Sequence, residues 1–283
     1  MILVFGKTGQ VATALQALLP EANFLDREQV DLTNPVACFD AIMTIKPDQV
    51  INTAAYTAVD KAEDDEKTAG LVNGAAPAQM ARACAKLGVP FVHISTDYVF
   101  DGTGETPFAP DHSTAPLGAY GRSKLAGEEA IIAAGGIHAI LRTSWVFSAH
   151  GSNFLKTMLR LSETHDKLTV VGDQIGGPTP ARAIAAACVE IADQLKADSS
   201  KTGTYHFSGV PNVSWAGFAH EIFLQAGRKV VVEDISTSAY PTTAKRPANS
   251  RMACFTTQQT FGIKQPDWQA AVTQILKELD TAS

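Results

Sequence analysis

The amino-acid sequence predicts an α/β fold in which helices cover both faces of a doubly wound parallel sheet, with a smaller C-terminal α/β lobe. In the first 150 residues, short apolar runs alternate with longer segments rich in Ala, Leu, Glu and Lys. Strands separated by helices of this length require crossover connections and therefore pair in parallel. The runs are continuously apolar, as is typical of strands buried on both faces.

Each predicted element in this part has a recognisable segment. The expected strands are Ile2–Phe5, Gln49–Asn52, Phe91–Ser95 and Ala139–Thr143. Helices are expected at Ala75–Leu87 and Gly121–Ala134.

The sequence changes in character after about residue 145. Gly and Pro are frequent in residues 172–180, which we therefore expect to form a loop. The expected elements that follow are a helix at Ala181–Leu195, a strand around Tyr205–Ser208 and irregular structure at Tyr240–Arg251. We expect two interleaved units, residues 1–145 and residues 146–283, with a cleft between them.

Composition and charge restrict the classes of partner. The chain has 23 Lys and Arg against 29 Asp and Glu and no cationic cluster, so a nucleic-acid partner is not expected. No apolar run approaches the roughly 20 residues that span a bilayer, and the N-terminal run resembles a strand rather than a signal peptide. The four cysteines form no CxxC pair, which favours reduced thiols in a cytoplasmic protein without a metal site.

The segment Gly6–Ala12 directly follows the first strand and begins a helical stretch. Gly6 and Gly9 allow a sharp turn, so that a pyrophosphate can approach the amides at the helix N-terminus, where the helix dipole favours an anion. The segment therefore predicts the dinucleotide-binding turn of a Rossmann fold, although its spacing is GxxGxxA rather than GxGxxG. A purely structural glycine turn is the alternative.

The second strand should end near residues 24–27. Asp26 favours NAD, because a carboxylate accepts from the ribose 2′-hydroxyl, whereas Arg27 favours NADP, because a guanidinium pairs with a 2′-phosphate. The choice between NADH and NADPH is open at this point. The loops after later strands contain Asp31, Leu32, Ala54 and Ala55. Adenine and ribose would lie against these residues; the alternative is that the four residues serve only the packing of the protein.

Tyr120 and Lys124 are four residues apart on a predicted helix and therefore share one face. A phenol has an ordinary pKa of about 10, and a neighbouring ammonium, helped by the oxidised nicotinamide ring, would bring that pKa toward neutrality. Thr96 follows an apolar strand, at the strand end where doubly wound sheets bind ligands. Together the three residues predict a reductase: Thr96 polarises a carbonyl, and Tyr120 donates the proton.

The motifs resemble those of the dTDP-4-dehydrorhamnose reductase family within the extended short-chain dehydrogenases. The resemblance covers almost the whole chain, at residues 6–11, 54–63, 95–100, 120–128, 142–147, 153–161, 172–179 and 238–251. It implies NADPH- or NADH-dependent reduction of the 4-keto group of dTDP-4-dehydro-L-rhamnose to give dTDP-L-rhamnose.

The resemblance also implies a role for individual residues. It assigns catalysis to Thr96, Tyr120 and Lys124. Cofactor contacts fall on Gly6, Thr8, Gly9, Gln10, Val11, Asp31, Leu32, Ala54, Ala55, Tyr56, Tyr120 and Lys124. Substrate contacts fall on Thr96, Asp97, Trp145, Arg246 and Arg251, where an indole can stack and a guanidinium can pair with a pyrophosphate.

One departure from the family concerns a metal. Some members hold magnesium at a dimer interface through a glutamate where this chain has Ala14, so we expect no metal and a monomer or weak homodimer.

Two alternatives remain open. A nucleotide-sugar dehydratase or epimerase is one, but a dehydratase needs a Thr-Asp-Glu run, and this chain has Tyr98 at the third position. A non-catalytic, NADP-binding regulatory subunit is the other, and the intact catalytic positions argue against it.

Overall fold

The computed structural model describes residues 1–282. Its strands are β1 (Ile2–Phe5), β2 (Asn23–Leu25), β3 (Gln49–Asn52), β4 (Phe91–Thr96), β5 (His138–Thr143), β6 (Val146–Phe147), β7 (Lys167–Val171), β8 (Ile175–Gly176), β9 (Thr179–Pro180), β10 (Gly203–His206), β11 (Val213–Ser214), β12 (Val231–Ile235) and β13 (Asn249–Ser250). Its α-helices are α1 (Gln10–Leu18), α2 (Pro35–Ile45), α3 (Val59–Asp64), α4 (Glu66–Gly70), α5 (Ala76–Leu87), α6 (Ala119–Ala133), α7 (Phe154–Leu161), α8 (Ala181–Ala197), α9 (Trp215–Gln225), α10 (Phe255–Phe261) and α11 (Trp268–Ala282). Across these residues, no helix has both the length and the apolar character that a membrane crossing requires.

A six-stranded sheet in the order β10-β5-β4-β3-β1-β2 forms the centre of the molecule, and all its strand pairs are parallel. The chain runs outward from β1 to β2 and then returns to β3 on the other side of β1. The strand order therefore reverses between β1 and β3, and ligands bind outside the carboxyl ends of strands at such a point. The predicted doubly wound α/β fold is confirmed.

Helices cover both faces of this sheet. Successive side chains of β1 point to opposite faces, so Val4 packs in a core with α1 and α8, whereas Leu3 and Phe5 pack in a core with α2 and α5. These three side chains are fully buried. Burial on both faces explains why the strands are continuously apolar in sequence.

Later parts of the chain contribute to this first unit. Strand β10 pairs with β5, and α8 packs beside α1 on one sheet face. A third core unites α7, α9 and α11 with the two-stranded sheet of β7 and β12, around Phe147, Phe218 and Trp268.

The expected bounds of β1 and β3 are confirmed, and several others require correction. Residues 172–180 are not wholly loop, because β8 and β9 lie within them. The strand expected around Tyr205–Ser208 begins two residues earlier, and Tyr240–Arg251 includes β13. The short strands β8, β9 and β13 pair with segments far away in sequence, which local patterns do not specify.

Candidate active site

A cavity of about 910 Å³ opens at the carboxyl ends of the central strands. This volume suits a dinucleotide together with a second ligand, since sites for small ligands commonly occupy about 300–1,000 Å³. Of the residues expected at a site, the cavity is lined by Gly6, Thr8, Gly9, Gln10, Val11, Asp31, Leu32, Ala54, Ala55, Tyr56, Thr96, Asp97, Tyr120, Lys124, Trp145 and Arg246. Arg251 does not line it.

The glycine turn is shaped to bring an anion close to the backbone. Gly6 has φ of 102°, and a Cβ atom there would lie 2.6 Å from the Thr53 hydroxyl oxygen. Gly9 precedes α1, has open space beside it and provides no side-chain cap for the helix. The first amides of α1 therefore face the cavity, as a phosphate group requires.

Gln10 fastens this turn to the segment after β6. Its amide oxygen accepts hydrogen bonds from Ser148 Oγ and Asn153 Nδ2, both at 2.9 Å. Its side-chain nitrogen donates to the Val146 carbonyl at 3.4 Å. Because these hydrogen bonds hold the Gln10 side chain in the cavity wall, Gln10 would contact a cofactor through its backbone.

Charged groups of both signs lie at the end of β2. The Asp26 carboxylate accepts from the amides of Gln29 and Glu28 at 3.1 Å and from Lys7 Nζ at 3.4 Å. These bonds, that of Gln29 first, lower the pKa of Asp26. Arg27, on the same rim, pairs with Asp31 at 3.5 Å. Lys7, which the sequence analysis did not select, adds a second cation beside Asp26.

The loop after β3 is tied to α6 by Asn73. The side-chain oxygen of Asn73 accepts from the Tyr56 amide at 2.8 Å, and its nitrogen donates to the Tyr56 carbonyl and to Ser123 Oγ, both at 3.0 Å. The loop that carries Ala54, Ala55 and Tyr56 is therefore held against the helix that carries Tyr120.

Tyr120 and Thr96 come together because α6 packs unusually closely on the turn after β4. A Cβ atom at Gly121 would lie 2.2 Å from the Tyr98 carbonyl oxygen, so only glycine permits this approach. The rings of Tyr98 and Tyr120 meet edge to face, with centroids 5.4 Å apart. Thr96 ends β4, as expected, and its hydroxyl lies close enough to the Tyr120 phenol to lower the pKa of that phenol.

The protonation of Tyr120 differs from the expectation. Burial raises the pKa of the Tyr120 phenol, Asp97 and Tyr98 raise it further, and the Thr96 hydroxyl opposes them. The lowering expected from Lys124 together with the oxidised nicotinamide ring does not arise in the protein alone, where Lys124 contacts Ile94 and His93. The phenol therefore keeps its proton near neutral pH, as a proton donor must.

Lys124 is a buried residue of the cavity lining. Its Nζ donates to the Ile94 carbonyl at 2.7 Å and lies 3.1 Å from His93 Nε2. Burial lowers the pKa of Lys124 to about 8, with Glu128 acting in the opposite direction. Sequence patterns did not select His93, because a histidine inside a buried strand has no local signature of function.

Asp97 is a buried carboxyl group on the cavity wall. Its Oδ1 accepts from the Thr96 hydroxyl at 3.1 Å, whereas its Oδ2 is buried without a hydrogen bond of good geometry among the described residues. Burial raises the pKa of Asp97 to about 6, although the nearby hydroxyls of Ser250 and Thr96 lower it. A buried and unsatisfied oxygen beside Thr96 is suited to a hydroxyl group of a ligand.

Two tryptophans form an aromatic wall at the far side of the cavity. The rings of Trp145 and Trp215 stack with centroids 3.6 Å apart and an angle of 12°. Trp145 has φ of 50°, a backbone conformation that bulky residues rarely adopt and that is concentrated at functional sites. Trp215 was not selected from the sequence, since only the folding of α9 against β6 brings it to Trp145.

The two C-terminal arginines are placed differently. Arg246 lines the cavity, donates to Asp60 Oδ2 at 2.9 Å, and lies close enough to Tyr98 to lower the pKa of that phenol. Arg251 instead donates to Asn249 Oδ1 at 3.0 Å and lies outside the cavity lining. Of the expected pair, the structure brings only Arg246 to the cavity.

Comparison with known proteins gives consistent relatives over the full chain. Residues 1–281 match the family described as the RmlD substrate binding domain. The dTDP-4-dehydrorhamnose reductase of Sinorhizobium fredii is 44% identical, with 97% of this chain and 96% of that protein covered. The enzyme of the same name from Shigella flexneri is 41% identical, with 100% of this chain and 99% of that protein covered.

Solved structures agree with this result. The dTDP-4-dehydrorhamnose reductase of Clostridium acetobutylicum superposes with a TM-score of 0.92 at 35% identity, covering 99% of both chains. The dTDP-4-dehydrorhamnose reductase of Bacillus anthracis, solved in complex with NADP, gives 0.90 at 34% identity and covers 98% of both chains.

Proposed function

The chain belongs to the RmlD family, and several of its full-length relatives are dTDP-4-dehydrorhamnose reductases, so we propose that it reduces the 4-keto group of dTDP-4-dehydro-L-rhamnose. The product is dTDP-L-rhamnose, and the reductant is NADPH or NADH. The observation that carries this proposal is that Thr96, Tyr120 and the open N-terminus of α1 line one cavity at the carboxyl ends of the central strands.

The cavity fits a nicotinamide dinucleotide. The turn at Gly6 and the open N-terminus of α1 suit its pyrophosphate, and the rim of Lys7, Asp26 and Arg27 suits the adenosine end. The bound cofactor supplies the hydride for the reduction. The protein must orient the keto group and donate the proton.

Tyr120 is the proton donor in this proposal. Its protonated phenol gives a proton to the carbonyl oxygen as that oxygen becomes a hydroxyl group. After exchange of its bond with Asp97, Thr96 donates a hydrogen bond to the same oxygen, which polarises the carbonyl for attack. The burial that raises the pKa of Tyr120 keeps the proton available until the carbonyl oxygen acquires negative charge.

The remaining side chains would bind the nucleotide sugar. Asp97 is placed to accept a sugar hydroxyl, and the stacked Trp145 and Trp215 offer an aromatic surface to a base or sugar ring. Arg246 offers a cation to the pyrophosphate, after exchange of its bond with Asp60. We do not include Arg251, because its guanidinium lies outside the cavity lining.

We also propose the broader context of this activity. Residues 1–145 form a cofactor-binding unit that β10 and α8 complete, and the remaining residues mainly bind substrate. Four buried thiols without a disulfide support a cytoplasmic location. The enzyme would act as a monomer or weak homodimer, without nucleic-acid or membrane partners.

The decisive experiment follows loss of reduced-nicotinamide absorbance. NADPH and NADH are supplied separately with dTDP-4-dehydro-L-rhamnose, and the unepimerised keto sugar serves as a control. Oxidation that depends on the L-sugar supports the proposal. Binding of NADPH without turnover would instead favour a regulatory subunit, and turnover only with other keto sugars would favour another reductase of the superfamily.

A further inference from the structure

Thr143 is a buried polar residue to which the reaction described above gives no role. It ends β5, lines the cavity and is 4% exposed. Within residues 1–282, two side-chain oxygens are buried without a hydrogen bond of good geometry, namely Thr143 Oγ1 and Asp97 Oδ2. Buried hydroxyl groups in proteins are nearly always paired, so an unpaired one at a cavity indicates a partner that the protein itself does not supply.

The residues on either side of Thr143 are satisfied within the protein. Arg142 donates to the Glu128 carboxylate at 2.6 Å. Ser144 Oγ donates to the Gly177 carbonyl at 3.2 Å. The missing partner is therefore a property of one side chain and not of a loosely packed strand end. A ligand that pairs with this hydroxyl would remove the cost of burying it unpaired.

The position of Thr143 in the sheet indicates which ligand group it would meet. Thr143 and Thr96 are direct partners in the parallel pairing of β5 with β4. Paired residues of neighbouring strands point to the same face, and such strands lie about 4.8 Å apart. In the proposed reaction Thr96 binds the keto oxygen, so Thr143 lies one strand spacing from the residue that holds this oxygen.

The chemistry of the keto sugar limits which group can occupy that place. In dTDP-4-dehydro-L-rhamnose the keto carbon C4 has two ring neighbours, of which C3 carries a hydroxyl group and C5 carries a methyl group. The C3 hydroxyl is therefore the hydrogen-bonding group next to the keto oxygen. A hydroxyl group both donates and accepts, so this one can accept from Thr143 and donate to the Asp97 carboxylate. One sugar group would thus supply a partner for both unsatisfied oxygens.

From this geometry we propose that Thr143 is a further substrate-binding residue, which selects keto sugars that carry a hydroxyl group on the carbon next to the keto carbon. The inference rests on the proposed function, because it concerns the same substrate. A rotation about χ1 exchanges the hydroxyl and methyl groups of a threonine, so Thr143 can turn its oxygen to the sugar from its place in the cavity lining. The contact orients the keto carbon relative to Thr96 and Tyr120.

The first measurement compares two substrates in the wild-type enzyme and in Thr143→Val, which replaces the hydroxyl with a methyl group. The substrates are dTDP-4-dehydro-L-rhamnose and its 3-deoxy analogue, each with saturating NADPH. Since one hydrogen bond contributes about 0.5–1.5 kcal/mol, the preference of the wild-type enzyme for the hydroxylated sugar, as a ratio of kcat/KM values, should fall about three- to tenfold in the variant. Thr143→Ser keeps the hydroxyl and should keep the preference. An unchanged preference in Thr143→Val would overturn the proposal.

The affinity for NADPH separates a contact with the sugar from a contact with the cofactor. Titrated by fluorescence without sugar, this affinity should be the same in the wild-type enzyme and in Thr143→Val. A loss of NADPH affinity as large as the loss of kcat/KM would place the hydroxyl against the nicotinamide group, and the contact with the sugar would be refuted.

Unfolding in denaturant measures the effect of the unpaired hydroxyl in the ligand-free enzyme. Thr143→Val should raise the midpoint, because it removes a buried polar group that has no partner. Thr257→Val is the matched control: Thr257 is fully buried outside the cavity lining, and its hydroxyl donates to the His206 carbonyl at 2.6 Å. The control should lower the midpoint and leave the substrate preference unchanged. If both variants lower the midpoint, Thr143 has a partner in the ligand-free protein and the proposal is wrong.

The wild-type enzyme tests the proposed function separately from the role of Thr143. If it turns over dTDP-4-dehydro-L-rhamnose while Thr143→Val keeps the wild-type substrate preference, only the role of Thr143 is refuted. If the wild-type enzyme does not turn over this sugar, the proposed function is refuted, and the contact with Thr143 is refuted with it.

Discussion

Gly121 allows α6 to pack closely against the turn after β4, and this packing sets the position of Tyr120. The substitution Gly121→Ala places a methyl group 2.2 Å from the Tyr98 carbonyl oxygen and 2.9 Å from Pro116 Cβ. The first of these atoms belongs to the backbone and cannot rotate away, so α6 must move outward from the turn after β4. That movement separates Tyr120 from Thr96.

Two opposing effects determine how much Gly121→Ala changes the free energy of unfolding. Alanine is favoured over glycine inside a helix by about 1 kcal/mol. Forcing one methyl group into a packed interface costs about 1–3 kcal/mol, and a contact this short belongs at the upper end. We therefore expect a net loss of about 1–2 kcal/mol in the free energy of unfolding. Because a displacement of about 1 Å at the reacting groups can cost about 10²-fold, kcat should fall by about that factor.

Denaturant unfolding and steady-state reduction of the keto sugar measure these two effects. Gly70→Ala is the matched control, because Gly70 is also helical, with φ of −63°, and no atom lies within 4 Å of the place that its new methyl group would take. That control should keep full activity and gain slightly in stability. Gly121→Ala with normal kcat and normal stability would refute the claim that this contact sets the geometry of Tyr120.

Four further predictions address chemistry, binding and pH. Tyr120→Phe removes the donated proton and should lower turnover by about 10²–10⁴-fold with unchanged cofactor affinity, whereas more than half of normal turnover would remove Tyr120 from the mechanism. Trp215→Ala should raise the KM for the nucleotide sugar about tenfold by loss of stacking, while cofactor affinity measured by fluorescence stays constant; normal sugar binding in calorimetry would contradict this. Arg27→Ala should weaken the binding of NADPH several-fold more than the binding of NADH, and an equal loss of affinity for both would exclude a contact between Arg27 and the 2′-phosphate. Burial raises the pKa of Asp97 from 3.8 to about 6, so the folded state binds this proton more tightly than the unfolded state and loses stability as pH rises between those values. Asp97→Asn should therefore gain stability relative to the parent above pH 6 but not below pH 3.8, and parallel stability curves would disprove the shift.

The sequence by itself determined the local structure of this protein, namely its strands, its helices and the turn after the first strand. Apolar runs such as Ile2–Phe5, with helix-forming segments between them, specify a parallel sheet, because strands buried on both faces must be apolar throughout. Glycine at residues 6 and 9 specifies the turn, and the spacing of Tyr120 and Lys124 puts both on one helical face. These properties depend on neighbours within a few residues, so they can be read directly from the chain.

Only the tertiary structure decided how distant segments meet. Trp215 reaches Trp145 through the packing of α9, and β10 joins the first unit from beyond residue 200. The same holds for Lys124, which the sequence puts on one helical face with Tyr120 and which folding buries against Ile94 and His93, where burial lowers its pKa to about 8. A pKa and a donor assignment depend on burial and on the partners that packing supplies, and the pattern along the chain contains neither.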